Sequence, residues 1–140
     1  MSDPDALRWE MVERLVKANE LTPQWRPAFL AVPRHAFIPD LVWRQDPSIE
    51  GPNDLIPLRR SEDPVTWLEL AYADDAVITQ VDDGTPAGPE LSGYDITSSA
   101  SMPLLVSRML TALDVEAGQR VLEIGTGTGY NAALLAHRLG

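Results

Sequence analysis

The chain has 140 residues and no cysteine. This excludes a disulfide framework, a thiolate metal site and a cysteine nucleophile. Its two histidines, His35 and His137, lie too far apart in sequence to give the paired spacing of a zinc site. Basic residues are scarce: 11 Lys and Arg stand against 21 Asp and Glu, for a formal net charge of −10. No Lys/Arg stripe gathers to overcome that field locally, so nucleic acid and anionic membranes are excluded as partners. No apolar run approaches the length that spans a bilayer. The acidic opening MSDPDALRWE also lacks the apolar core of a signal peptide. These absences lead us to expect a soluble, cytoplasmic protein. A hydrophobic fraction of 44% is enough for one packed domain rather than wholesale disorder.

The most informative stretch lies near the end, where Arg120 to Ala136 reads RVLEIGTGTGYNAALLA. Val121, Leu122 and Ile124 predict a short, buried parallel strand. Gly125, Gly127 and Gly129 end it, and an Ala/Leu-rich helix follows. Strand, glycine loop and helix in that order form the first turn of a nucleotide-binding α/β fold. The glycines permit positive φ and close ligand approach, and Glu123 puts a carboxylate at the strand's end. A dinucleotide site wants G-x-G-x-x-G, but here the third glycine position falls on Tyr130. No G-K-[ST] follows, so a P-loop is excluded. In such folds the acidic residue that holds the ribose hydroxyls comes about 20 residues after the glycines, beyond Gly140. We therefore expect a Rossmann-like sheet cut after its first βα unit. The E-x-G-x-G-x-G run from Glu123 to Gly129 resembles motif I of S-adenosylmethionine-dependent methyltransferases.

Upstream, Leu7, Met11, Leu15 and Val16 recur at helical spacing and predict a helix over 5–19. Thr22 and Pro23 read as the N-cap and first position of a second short helix through Leu30, which Pro27 would interrupt. Val32 to Asp40, bracketed by prolines, is expected to run extended. From Trp43 to Gly93, prolines, acidic residues and glycines accumulate. This reads as a loop-rich excursion: a lid, a substrate arm, or a linker anchored by Trp43 and Trp67. Within it, 67–72 predicts a helical turn and 76–81 a short strand. Ser101 and Pro103 then open a helix with Leu105, Val106, Met109, Leu110 and Leu113 on one apolar face, and 114–119 forms a turn.

Several segments together resemble the protein-L-isoaspartate O-methyltransferase family. VLEIGTGTGYNAALLA at 121–136 is very similar to its motif I segment, including Tyr130-Asn131-Ala132-Ala133. Val32-Pro33-Arg34-His35-Ala36-Phe37-Ile38-Pro39 resembles its V-P-R-x-x-F-[VI]-P segment. Ala71-Tyr72-Ala73-Asp74-Asp75 resembles the next block, and Thr97 to Met102 stands where the family carries I-S-A-P-H-M. The resemblance implies a Rossmann-like methyltransferase domain beginning at residues 97–140, behind a helical and loop-rich family-specific region at 1–96.

It further implies S-adenosylmethionine as cofactor, bound by Glu123, Gly125, Thr126, Gly127, Gly129, Tyr130 and Asn131. The partner is a protein or peptide carboxylate, faced by Ser98 with Thr97 beside it. No metal is implied. The family's Pro-His pair is Ala100-Ser101 here, and two insertions separate the blocks. This pattern is also similar to divergent relatives that methylate precursor peptides in natural-product maturation. A catalytically inactive, peptide-binding or partner-binding remnant is the remaining alternative. His35 and His137 read as structural, and Ser101 as a helix cap.

Overall fold

The computed structural model describes residues 3–140, so the first two positions of the acidic N-terminal opening lie outside the described residues. Among the described residues no helix is long and apolar enough to cross a membrane.

Helix α1 (Pro4–Lys17) starts where the Asp3 carboxylate accepts the Asp5 N–H at 3.0 Å and Pro4 occupies the first turn. Met11, Val12 and Leu15 form its buried face, while Val16, one of the residues expected there, is 37% exposed. Asn19, at positive φ, turns the chain out of the helix. The second helix begins later than the sequence implies. Thr22 accepts the Trp25 and Arg26 N–H groups through its backbone oxygen, and α2 runs Arg26–Ala31. Pro27 therefore sits in the first turn, where its missing N–H costs nothing, and does not interrupt the helix. The segment expected to be extended instead contains a 3₁₀ turn at Arg34–Phe37. Pro33 and Ile38 flank it in β conformation.

The central correction concerns the region read as a loop-rich excursion, which builds most of a sheet. Strands β1 (Leu41–Gln45), β2 (Leu55–Arg59), β3 (Val77–Val81) and β4 (Ile96–Ala100) pair in the order β2-β1-β3-β4, every pair antiparallel. Pro57 is accommodated because β2 is an edge strand. Helix α3 (Pro64–Tyr72) crosses between β2 and β3, capped by Asp63 on the Thr66 N–H. The two tryptophans do anchor this region: Trp43 donates to the Leu91 carbonyl and Trp67 to the Pro39 carbonyl, each at 2.9 Å. The prolines punctuate strands here instead of preventing them.

Helices α4 (Pro103–Leu113) and α5 (Tyr130–Leu139) complete the fold. The predicted apolar face of α4 is split: Val106 and Leu110 are buried, whereas Leu105, Met109 and Leu113 stay exposed. Ser101 does not cap this helix. Its carbonyl is taken by Arg34, and the Leu104 N–H is accepted by Asp74 from the loop after α3. The buried parallel strand predicted at 121–124 is absent. Leu122 and Ile124 are 85% and 90% exposed, and no strand pairs with them. A strand needs a neighbour for its backbone groups and a layer over its side chains, and the described residues offer neither. The turn at 118–119 is tied back to α5 by the Gly118 N–H on the Leu139 carbonyl. The fold is thus mixed α/β with an antiparallel sheet.

Candidate functional site

The glycine loop and the β4–α4 junction face each other across a cavity of about 330 Å³. One wall is Ser98, Ser99, Ala100 and Ser101 with Val106 and Met109 from α4. The other is the run from Glu123 to Thr128 with Tyr130 and Asn131 from the start of α5, and Arg34 completes the enclosure. Of the residues singled out by sequence, Ser98, Glu123, Gly125, Thr126, Gly127, Tyr130 and Asn131 meet here.

Two do not line the cavity. Thr97 points elsewhere, donating to Gln80 Oε1 and accepting the Asp83 N–H. Gly129 stands behind the loop, where an added Cβ would lie 3.7 Å from Phe37. Its φ of +96° makes it the left-handed N-cap of α5, with no side chain to cap the first turn. The N–H groups of that turn thus receive no acceptor from the N-cap.

Gly125 and Gly127 are required by conformation and not by crowding. Their φ values are +75° and +60°, and the nearest atom to a Cβ at either is the Gly125 carbonyl oxygen, 4.0 Å from a Cβ on Gly127. The space beside the loop is open toward the cavity.

The polar lining is incompletely satisfied. Asn131 Nδ2 donates to Glu123 Oε1 at 2.7 Å, which joins the pre-loop segment to α5. Among the described residues Glu123 Oε2 and Asn131 Oδ1 find no partner and remain buried. Both are acceptors, so the group that satisfies them must donate. Unpartnered buried acceptors cost about 1–3 kcal/mol each, and a donor-rich ligand would relieve that cost. The Tyr130 hydroxyl is also buried and unpartnered, and burial pushes its pKa up. It is therefore a neutral O–H. Ser98 Oγ accepts from Thr79 Oγ1 at 3.3 Å; its own proton is free to be given to a ligand in the cavity.

Arg34 stands out in the sequence only as part of the V-P-R segment that resembles the family, yet it belongs to the cavity. It is fully buried and lines the cavity. Nε donates to the Ala71 carbonyl at 2.8 Å and Nη2 to the Ser101 carbonyl at 2.9 Å. The guanidinium lies 5.0 Å from the centre of the Tyr130 ring. Burial lowers its pKa, opposed by Tyr130, Tyr72 and Asp74, but an arginine remains charged in proteins. The signal that would have found it is a lone charged residue inside an otherwise apolar, proline-bracketed segment.

The family model described as protein-L-isoaspartate(D-aspartate) O-methyltransferase matches residues 88–140. Protein-L-isoaspartate O-methyltransferase of Dictyoglomus turgidum is 30% identical over 129 residues, covering 92% of this chain and 40% of that protein. Protein-L-isoaspartate O-methyltransferase 1 of Archaeoglobus fulgidus is 31% identical over 99% of this chain and 45% of its own length. The Picosynechococcus enzyme of the same name is 33% identical over 96% of this chain and 44% of its own. The chain thus spans less than half the length of these relatives.

Proposed function

Because the chain belongs to the protein-L-isoaspartate O-methyltransferase family, we propose that its cavity is the meeting place of S-adenosylmethionine and a protein or peptide carboxylate. One observation carries the reading. Glu123 Oε2 and Asn131 Oδ1 are two buried, unpartnered acceptors beside an open positive-φ glycine loop. The amino and hydroxyl groups of such a cofactor are the donors this pair lacks, so the residues present fit the group.

When bound, the cofactor supplies an electrophilic methyl on a sulfonium. The chain's residues do the rest. Glu123 and Asn131 hold donor groups of the cofactor, and Gly125, Thr126 and Gly127 let the backbone run alongside it. Gly129 sets the direction of α5, whose N-terminal dipole favours a carboxylate by about 0.3–1 kcal/mol. Tyr130 closes the apolar back of the cavity against Phe29 and Phe37, with ring centroids 6.3 and 6.0 Å away. Ser98 donates to one oxygen of the acceptor carboxylate and aligns it. A carboxylate is already an anion, so no general base is required; alignment and exclusion of water dominate. In this reading residues 97–140 open the methyltransferase domain and supply both walls of the cavity, and residues 1–96 form the family-specific region that adds Arg34 to its lining.

The test is equilibrium binding of S-adenosylhomocysteine to this chain, followed by transfer of labelled methyl to an isoaspartyl peptide and to its ordinary aspartyl counterpart. Binding with base-labile methyl incorporation supports the proposal. Transfer to the aspartyl peptide alone would favour precursor-peptide maturation over isoaspartyl recognition. Peptide binding with no measurable affinity for S-adenosylhomocysteine would leave the inactive-module reading instead.

A further inference from the structure

The cavity carries two opposite charges that do not pair with each other. Glu123 is held by Asn131, and among the described residues Arg34 has no carboxylate within 4 Å. Arg34 is instead wrapped by neutral acceptors: the carbonyls of Ala71, Ala100 and Ser101, and the face of Tyr130. Its Nη1 is buried with no hydrogen-bond partner among the described residues. Buried charges in proteins are ordinarily paired, so a fully buried guanidinium without a counter-ion marks a place where an anion is missing. The two carbonyls that Nη2 approaches belong to Ala100 and Ser101, two and three residues beyond Ser98 along the acceptor wall.

We infer that Arg34 is the residue that selects a negatively charged acceptor: its unpaired charge and its hold on the Ser98–Ser101 wall make that side of the cavity specific for a carboxylate over a neutral isostere. The inference rests on the proposed methyl-transfer reading for the identity of the ligand on the Glu123 side. The division of labour follows from sign. Glu123 faces the positively charged cofactor, and Arg34 faces the anion that receives the methyl. Arg34 is fully buried, so its charge is screened less than a surface charge and reaches over several ångströms. Direct contact with the guanidinium is therefore not needed for selection, and Arg34 acts as a positioning and specificity-determining residue.

The experiment uses the whole 140-residue chain and two hexapeptides, identical except that one carries L-isoaspartate and the other its α-carboxamide. Binding of each is measured calorimetrically in the presence of S-adenosylhomocysteine, for wild type, Arg34→Gln and Arg34→Lys. Glutamine keeps a donor for the carbonyls without the charge; lysine keeps the charge without the fork. Wild type is expected to prefer the carboxylate about tenfold or more, in line with the attraction of a weakly screened charge several ångströms away. Arg34→Gln should lose that preference while its S-adenosylhomocysteine affinity changes less than threefold, and Arg34→Lys should recover part of it.

Equal binding of the two peptides by wild type overturns the inference, whether or not the variants fold. So does a folded Arg34→Gln that still discriminates. Should Arg34→Gln fail to fold, Arg34→Lys decides: the charge is retained, so discrimination must persist, and its loss overturns the inference. Failure of wild type to bind S-adenosylhomocysteine, with Arg34-dependent carboxylate preference intact, would remove the cofactor reading and leave the anion site standing.

Discussion

Asp74 Oδ1 accepts the backbone N–H of Leu104 at 3.0 Å, so the first turn of α4 is capped from a loop thirty residues upstream. Met102, at the N-cap position, makes no side-chain cap of its own. The contact links the end of α3 to the helix that carries Val106 and Met109 into the cavity.

Replacing Asp74 by Ala should therefore cost about 1 kcal/mol of unfolding free energy, the usual value of a lost N-cap. Asp74→Asn should cost less, because the amide oxygen still accepts. Urea denaturation followed by far-UV circular dichroism reads both. Equal losses for the two variants would show that the carboxylate charge, and not the hydrogen bond, is what matters at α4.

The cap also shows why parts of this fold could not be read from the sequence. Asp3 before Pro4 and Asp63 before Pro64 are local caps, and both helices begin beside them. The cap on Leu104 is tertiary, so Ser101 was the natural local choice and the wrong one. Of the sheet, the sequence pattern marks only the short strand at 76–81, which is β3. Pro57 and the bulged register of β3 on β4 weaken the alternating pattern that marks a strand. By contrast, Gly125, Gly127 and Gly129 announced their positive φ plainly, and Glu123 with Asn131 met as a pair beside them. Val121, Leu122 and Ile124 were legible as apolar but not as exposed. Apolarity records what a segment can bury, and nothing among the described residues covers this one.

Gly127 has φ of +60° with no atom nearer than 4.0 Å to a potential Cβ. Gly127→Val should lose about 1–2 kcal/mol of stability through backbone strain alone, together with at least tenfold in S-adenosylhomocysteine affinity. Gly118→Ala is the matched control: φ is +84°, a Cβ there meets nothing, and the residue does not line the cavity. It should lose comparable stability and no affinity. An affinity loss in the Gly118 variant as large as that in the Gly127 variant would mean that strain, not ligand approach, explains the loop.

Gly93 is constrained by crowding. A Cβ there would lie 2.5 Å from Val81 Cγ2, and Val81 is fully buried in β3. The Gly93 N–H also donates to the Leu55 carbonyl at 2.9 Å, so the backbone is not free to retreat. Gly93→Ala should destabilise by about 1–3 kcal/mol, the range for overpacking. Adding Val81→Ala should restore part of that loss, giving a favourable coupling between the two sites in a double-mutant cycle. Strictly additive effects would place the clash elsewhere.

His35 gives the stability an acid-side slope above the carboxylate range. Burial lowers its pKa from 6.5, and the charges of Arg60 and Arg8 lower it further, against a smaller opposing effect from Asp5. Its ring lies against Tyr72, with Nδ1 2.6 Å from the hydroxyl. A base whose folded pKa is depressed is bound to fewer protons in the native state than in the unfolded one. Its contribution is thus complete above pH 6.5 and is lost as pH falls through the lowered folded value. Asp46, Asp63 and Asp82 are depressed below 3.8 by hydrogen bonds, chiefly from Ser48, Thr66 and Ala87. Their contributions disappear only in the more acid range. Thermal melting of wild type should therefore show Tm declining below pH 6.5 before the carboxylates begin to titrate. His35→Gln, which can still hydrogen-bond Tyr72, should remove that first decline and leave the acid limb unchanged. A variant that declines with the same slope as wild type between pH 6.5 and 5 would assign the effect to another group.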